Sequence, residues 1–170
     1  RGKLELLESI REIIPRNVNC IYIRQSEPLG LGHAVLCAKP AVQNEPFAVV
    51  LADDLIRSVS PALVQMAEVF EREGCSVLGV EDVPREQTGS YGIVKAKDLE
   101  GKVVRVAGLV EKPRPDEAPS TLAVVGRYIL TPGIFDCLAR QAPGRGGEIQ
   151  LTDAIATLMM SEQVRALRFE

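Results

Sequence analysis

An α/β fold with a mainly parallel sheet is the class this sequence predicts, and three observations carry it. From Val18 to Val80 the chain alternates strand, helix, strand, helix, strand, the order that builds parallel sheets through right-handed crossovers. A glycine-bearing loop, "QSEPLGLGH", follows the first of those strands, and a pair of acids, Asp53 and Asp54, ends the second. Both features fall where open α/β sheets bind ligands, outside the carboxyl ends of their strands.

Each element has its own local reason. Leu4, Leu7, Ile10 and Ile14 recur at helical spacing until Pro15 stops the pattern, and "VNCIYI" then reads as a short strand. A helix starts near Gly32 and ends at Pro40; Gly30 and Gly32 lack the side chain that would hold a ligand away from exposed N–H groups. "FAVVLADD" is too short and too rich in valine for a helix, so it reads as a buried strand with Asp53 and Asp54 at its C-terminal end. Ser60 and Pro61 form an N-cap and first helical residue for "ALVQMAEVFERE", whose Leu63, Met66, Ala67 and Phe70 share a core face until Gly74 closes it. "CSVLGV" is another buried strand.

Beyond Val80 the rhythm changes. "YGIVKAKDLEGKVVRVAGLVEKP" predicts a hairpin turning at Glu100 and Gly101, and "LAVVGRYIL" a further strand. Thr131 and Pro132 open a helix over "GIFDCLARQA", the loop "PGRGG" leads to a last helix around "IQLTDAIATLMM", and "VRALRFE" reads as a strand. The sequence contains no internal repeats.

A chain of 170 residues, 46% hydrophobic, suits one domain with a real core. The formal net charge of -3 gives no basic field for nucleic acid. The four cysteines, Cys20, Cys37, Cys75 and Cys137, form no C-x-x-C pair, so buried, reduced thiols and a cytoplasmic protein are expected. No run of eighteen apolar residues predicts a membrane span.

A glycine-rich backbone beside two carboxylates suits a nucleotide phosphate with a divalent ion, because hard oxygen ligands hold Mg²⁺ and the ion neutralises phosphate charge. Adjacent aspartates also occur in solvated turns; their place at the end of a buried strand favours the ion. Dinucleotide oxidoreduction fits less well. The third glycine of the G-x-G-x-x-G pattern is replaced by Val35, and the glycines do not directly follow the strand.

Six segments in order, "QSEPLGLGHAVLCAKP", "PFAVVLADD", "GSYGIV", "GLVEKP", "LAVVGRYIL" and "GEIQLTDAI", closely resemble the bacterial UTP-glucose-1-phosphate uridylyltransferases, or UDP-glucose pyrophosphorylases, of the nucleotidyltransferase superfamily. The resemblance implies a Rossmann-like nucleotide-diphospho-sugar transferase fold with a β-hairpin insertion. It also implies Mg²⁺ as cofactor and the conversion of UTP and glucose 1-phosphate to UDP-glucose and pyrophosphate. Position by position, Gln25 and Gly30 match the uracil-binding residues, the amide offering a donor and an acceptor. Asp53 matches the catalytic metal-binding aspartate. Gly92 and Glu111 match residues holding the glucose hydroxyls, and Lys112 the catalytic lysine on the sugar phosphate.

His33 would tempt a general-base role, but the sugar phosphate is already an anionic nucleophile, so a structural or supporting role is expected. Glu148, Gln150 and Asp153 share a family motif without an assigned step. The resemblance further implies an internal fragment, one partial domain over residues 1–170 truncated at both ends, without the N-terminal glycine-rich loop and a second metal-binding aspartate. Three alternatives stay open: part of a uridylyltransferase, impaired in this chain, a non-catalytic UDP-sugar binder, or a remnant whose main property is association with other chains; a homo-oligomer is expected.

Overall fold

The computed structural model describes residues 3–7, 17–97 and 100–169. Helix α1 spans Leu31–Cys37, α2 Lys39–Val42, α3 Ala62–Glu73, α4 Ile134–Arg140 and α5 Leu151–Leu158. The strands are β1 Phe47–Val50, β2 Ser76–Asp82, β3 Gly92–Ala96, β4 Val103–Glu111, β5 Leu122–Leu130 and β6 Val164–Arg168. Residues 3–7 are helical; the rest of the predicted N-terminal helix, through Ile14, lies outside the described residues.

The sheet is mixed, which corrects the mainly parallel expectation. Its order is β1-β5-β2-β6-β4-β3, and Ile93 of β3 also pairs with Ala123 of β5, so the sheet curls back on itself like a barrel. Among the described residues only β2 and β6 pair in parallel. The cause is the placement of β5. It runs antiparallel to both β1 and β2, so those two strands point the same way, as a crossover requires, but are separated by a third. The predicted hairpin forms as β3 and β4, with Gly101 at φ 84° in its turn.

Side chains alternate across the strands and sort into two cores. Leu78, Tyr128, Leu130 and Ala166 face the core shared with α4 and α5, where Phe135, Leu151 and Ile155 are buried. Val77, Ile129 and Leu167 face the other way, against Met66 and Val69 of α3. Helices thus cover both faces. Gly74 ends α3 in the left-handed conformation, at φ 65°, its N–H bonded to the carbonyl of Phe70.

Five local expectations change. "VNCIYI" is irregular: Ile21 and Tyr22 are exposed, and with no strand beside it among the described residues an apolar run has no ladder to join. Strand β1 is half-buried, because it is the outer strand on β5. Pro40 does not end the helical run but lies in the first turn of α2, where its missing N–H costs nothing, and Pro61 rather than Ser60 precedes α3. Of the cysteines, all free, only Cys75 is buried; Cys20 is exposed. Among the described residues no helix is long and apolar enough to cross a membrane.

Candidate active site

A cavity of about 460 Å³ opens between the end of β1, the β3–β4 hairpin, the middle of β5 and the start of α5. Asp53, Gly92, Glu111 and Lys112, singled out separately in the sequence, all line it. Gly92 and Glu111 meet because the hairpin register pairs them directly. Thr152, in the first turn of α5, donates its hydroxyl to Glu111 Oε2 at 2.6 Å and so fixes the carboxylate. A Cβ on Gly92 would come within 3.2 Å of Thr152 Oγ1 and 3.4 Å of Glu111 Oε2, so glycine keeps this three-residue contact uncrowded.

Lys112 follows at once, with its ammonium 3.7 Å from Glu111 Oε1. Its backbone is left-handed, φ 45°, a conformation that costs an L-residue about 1–2 kcal/mol. The bond from its N–H to the carbonyl of Tyr91 holds that turn, at 2.9 Å. The strain redirects the chain as β4 ends, and the lysine joins the cavity wall rather than continuing the strand.

The two aspartates follow β1 in a turn, since the strand stops at Val50; strand alternation therefore does not separate them, and both line the cavity. What separates them is β5. Gly126 interrupts β5 at φ 46°, where β2 and β5 slip in register, and Asp54 packs into the space an ordinary side chain would fill. A Cβ on Gly126 would lie 2.0 Å from Asp54 Oδ2. Arg127 then ties the turn down, its Nη1 donating to the Leu51 carbonyl at 3.0 Å and its Nη2 to the carbonyl of Asp54. Asp54 is half-buried by this packing and Asp53 stays exposed. Gly126→Ala should cost at least about 1–2 kcal/mol from the backbone alone, more with Asp54 displaced. Denaturant unfolding measures this, and an unchanged midpoint would contradict it.

Burial, and secondarily the charges of Glu111 and Asp54, push the Tyr128 phenol well above its ordinary range, so it remains a neutral hydroxyl on the cavity wall. Burial, reinforced by Glu111, also pushes the Asp153 carboxyl up. Three carboxylates, Asp53, Asp54 and Glu111, thus line the cavity against the one ammonium of Lys112 among the described residues. An anionic ligand would need added positive charge there. Asp53 suits Mg²⁺, which is commonly held by one or two carboxylates with phosphates and water completing its shell. Among the described residues no three His, Cys, Asp or Glu side chains form a group that could hold a metal ion.

Gln25 and Gly30 belong to the adjoining loop, which reaches the cavity through Leu31. The loop is laced to the segment before α5: Gly32 N–H donates to Ile149 O at 2.9 Å, and Ile149 N–H to Leu29 O at 2.8 Å. Gly32 therefore serves close backbone packing, which corrects the expectation that its N–H points to a ligand. Gly30, at φ 91°, would bring a Cβ within 2.8 Å of Glu148 Cβ. The Gln25 amide nitrogen donates to Gly30 O at 3.0 Å and contacts His33 Nδ1 at 2.9 Å. Its donor side is turned into the loop, whereas the family resemblance implied both a donor and an acceptor for the base.

The family model for nucleotidyl transferases matches residues 2–169. The chain belongs to the nucleotidyl transferase family. UTP-glucose-1-phosphate uridylyltransferase 2 of Staphylococcus saprophyticus is 48% identical over 170 residues, which is 100% of this chain and 58% of that protein. The UTP-glucose-1-phosphate uridylyltransferase of Bacillus subtilis is 46% identical with the same coverage. A UDP-glucose pyrophosphorylase solved with UDP-glucose superposes with a TM-score of 0.90 at 43% identity, over 100% of this chain and 65% of that one. A UTP-bound enzyme from Acinetobacter baumannii gives 0.86 at 40% identity, over 99% and 59%. This nucleotidyl transferase chain therefore spans less than two thirds of the length of these relatives.

Four residues that position the nucleotidyl transferase cavity escaped the sequence pattern: Thr152, Tyr128, Gly126 and Arg127. Thr152 stands between Gln150 and Asp153, so the motif pointed at its neighbourhood. A glycine followed by arginine inside the otherwise apolar "LAVVGRYIL" was the available signal for a bulge at Gly126. Glu148 and Gln150, which had no assigned role, bond to one another at 2.9 Å, and Glu148 backs Gly30.

Proposed function

We propose that this chain carries the nucleotide-sugar portion of a UTP-glucose-1-phosphate uridylyltransferase. The observation that carries the proposal is the convergence of Asp53, Gly92, Glu111 and Lys112, distant in sequence, on one cavity beside the Gln25 loop. Relatives that are 46–48% identical over the whole chain support the same reading. Gln25 and Gly30 receive the uracil, Glu111 and the open face at Gly92 take the glucose hydroxyls, and Lys112 meets the sugar phosphate. Asp53 holds Mg²⁺, which supplies charge neutralisation to the phosphates when bound.

In the reaction an oxygen of glucose 1-phosphate attacks the α-phosphorus of UTP in line, a new P–O bond forms, and the bond to the β-phosphate breaks with departure of pyrophosphate. The nucleophile is already an anion, so no side chain need remove a proton. The protein's task is alignment of two anions, with Lys112 meeting the sugar phosphate and Glu111 the glucose hydroxyls. Cytoplasmic nucleotide pools and free thiols suit a cytoplasmic location. Self-association is supported by the outer strand β1, where Val50 is 50% exposed; light scattering that finds a monomer at all concentrations would remove it.

Calorimetry with UDP-glucose and Mg²⁺ tests the base assignment. Gln25→Ala should weaken binding by about 1 to 3 kcal/mol, because a polar group of the base loses its partner. Equal affinities would overturn the assignment of Gln25, and absence of binding to either chain would overturn the proposed function.

A further inference from the structure

We propose that His33 sets which pyrimidine the site accepts, by fixing the orientation of the Gln25 amide. This rests on the reading above that Gln25 meets the base. An amide nitrogen carries two hydrogens, and here both have acceptors: the Gly30 carbonyl at 3.0 Å and His33 Nδ1 at 2.9 Å. Nδ1 can accept only if it is bare, which puts the ring proton of neutral His33 on Nε2. That nitrogen faces Cys37 Sγ at 3.9 Å, one helical turn on in α1, and sulfur is a weak acceptor for it. One tautomer therefore satisfies every contact of the Gln25, Gly30, His33 and Cys37 chain.

With its hydrogens held inward, the amide presents Oε1 to a ligand, and Oε1 only accepts. Uracil carries a hydrogen on N3, so the two groups match. Cytosine has a bare N3, so Oε1 would meet a lone pair. Rotating the amide to suit cytosine would turn Oε1 onto Gly30 O, an acceptor against a fixed acceptor, and onto His33 Nδ1, which could meet it only by taking the ring proton from Nε2 and giving up the contact with Cys37 Sγ. His33 is thus a positioning residue: it touches Gln25, and through it decides between bases. Thymine, with the same N3–H, is not discriminated by this device.

The test compares UDP-glucose and CDP-glucose by calorimetry, in the presence of Mg²⁺, on the chain and on two variants. His33→Leu removes the acceptor, and His33→Asn returns one. The chain should prefer UDP-glucose by about tenfold or more. His33→Leu should reduce that ratio to about threefold or less, and His33→Asn should restore most of it. An unchanged ratio in His33→Leu overturns the role of His33, as does an equal loss of both ligands, which would mark a purely structural residue. If Gln25→Ala leaves UDP-glucose binding unchanged, the base reading itself falls and takes this proposal with it; a Gln25-dependent affinity with a His33-independent ratio rejects the proposal alone. Should His33→Leu fail to fold, nitrogen-15 shifts of the unaltered chain decide. The sequence has a single histidine, so its ring signals need no assignment: a bare Nδ1 and protonated Nε2 are expected, and the opposite tautomer overturns the proposal.

Discussion

Asp53→Asn should abolish Mg²⁺-dependent turnover, lowering it about a hundredfold or more in a chain lengthened to span its relatives, whereas Asp54→Asn should leave the larger part. The two acids are neighbours in sequence and share a cavity, so charge alone would not separate them. Packing does. Asp54 is wedged against the bulge at Gly126 and its carbonyl is held by Arg127, while Asp53 remains exposed to solvent. An asparagine in place of Asp54 keeps its shape and the carbonyl contact. At position 53 it would remove the anionic oxygen on which a hard cation depends. Initial rates of pyrophosphate release across a Mg²⁺ series check this, and a larger loss from Asp54→Asn would show that the ion takes the other carboxylate.

The second large effect concerns the 170 residues assayed alone, which should turn over UTP and glucose 1-phosphate about a hundredfold to a thousandfold more slowly than a chain lengthened to span the relatives. The cavity explains why. On the proposed reaction a triphosphate and a sugar phosphate must approach each other past Asp53, Asp54 and Glu111, with the ammonium of Lys112 as the lining cation among the described residues. Preorganised donors to the phosphates are the largest contribution in transfers of this kind, and each one missing costs heavily. Addition of Mg²⁺ should rescue UDP-glucose binding more than turnover. Comparable pyrophosphate release by the two chains would mean that the residues here already complete the site.

Local chemistry was readable from sequence where it depends on neighbours along the chain. The stripe of Met66 and Phe70, the left-handed stop at Gly74 and the hairpin turn at Gly101 follow from spacing and from glycine's freedom, and the structure contains all of them. A hairpin turning at Glu100 and Gly101 also sets Gly92 and Glu111 nearly opposite, so part of the site was implicit in the turn. Strand pairing was not readable. Nothing in "FAVV" or "CSVLGV" says that "LAVVGRYIL" will run between them, because an apolar strand accepts a partner of either direction. The partners of the Gln25 amide were unreadable for a similar reason: Gly30 O and His33 Nδ1 meet it only through the way a loop closes.

The lodging of β5 between β1 and β2 also sets a timetable for synthesis. Phe47 pairs with Leu130, so β1 leaves the ribosome long before the strand that completes its ladder. Until then the nascent chain holds an apolar strand with open edges, the kind of segment that holdase chaperones bind and that seeds co-translational aggregation. High contact order of this sort slows folding. Slower translation between Val50 and Leu130 would lengthen that interval of exposure.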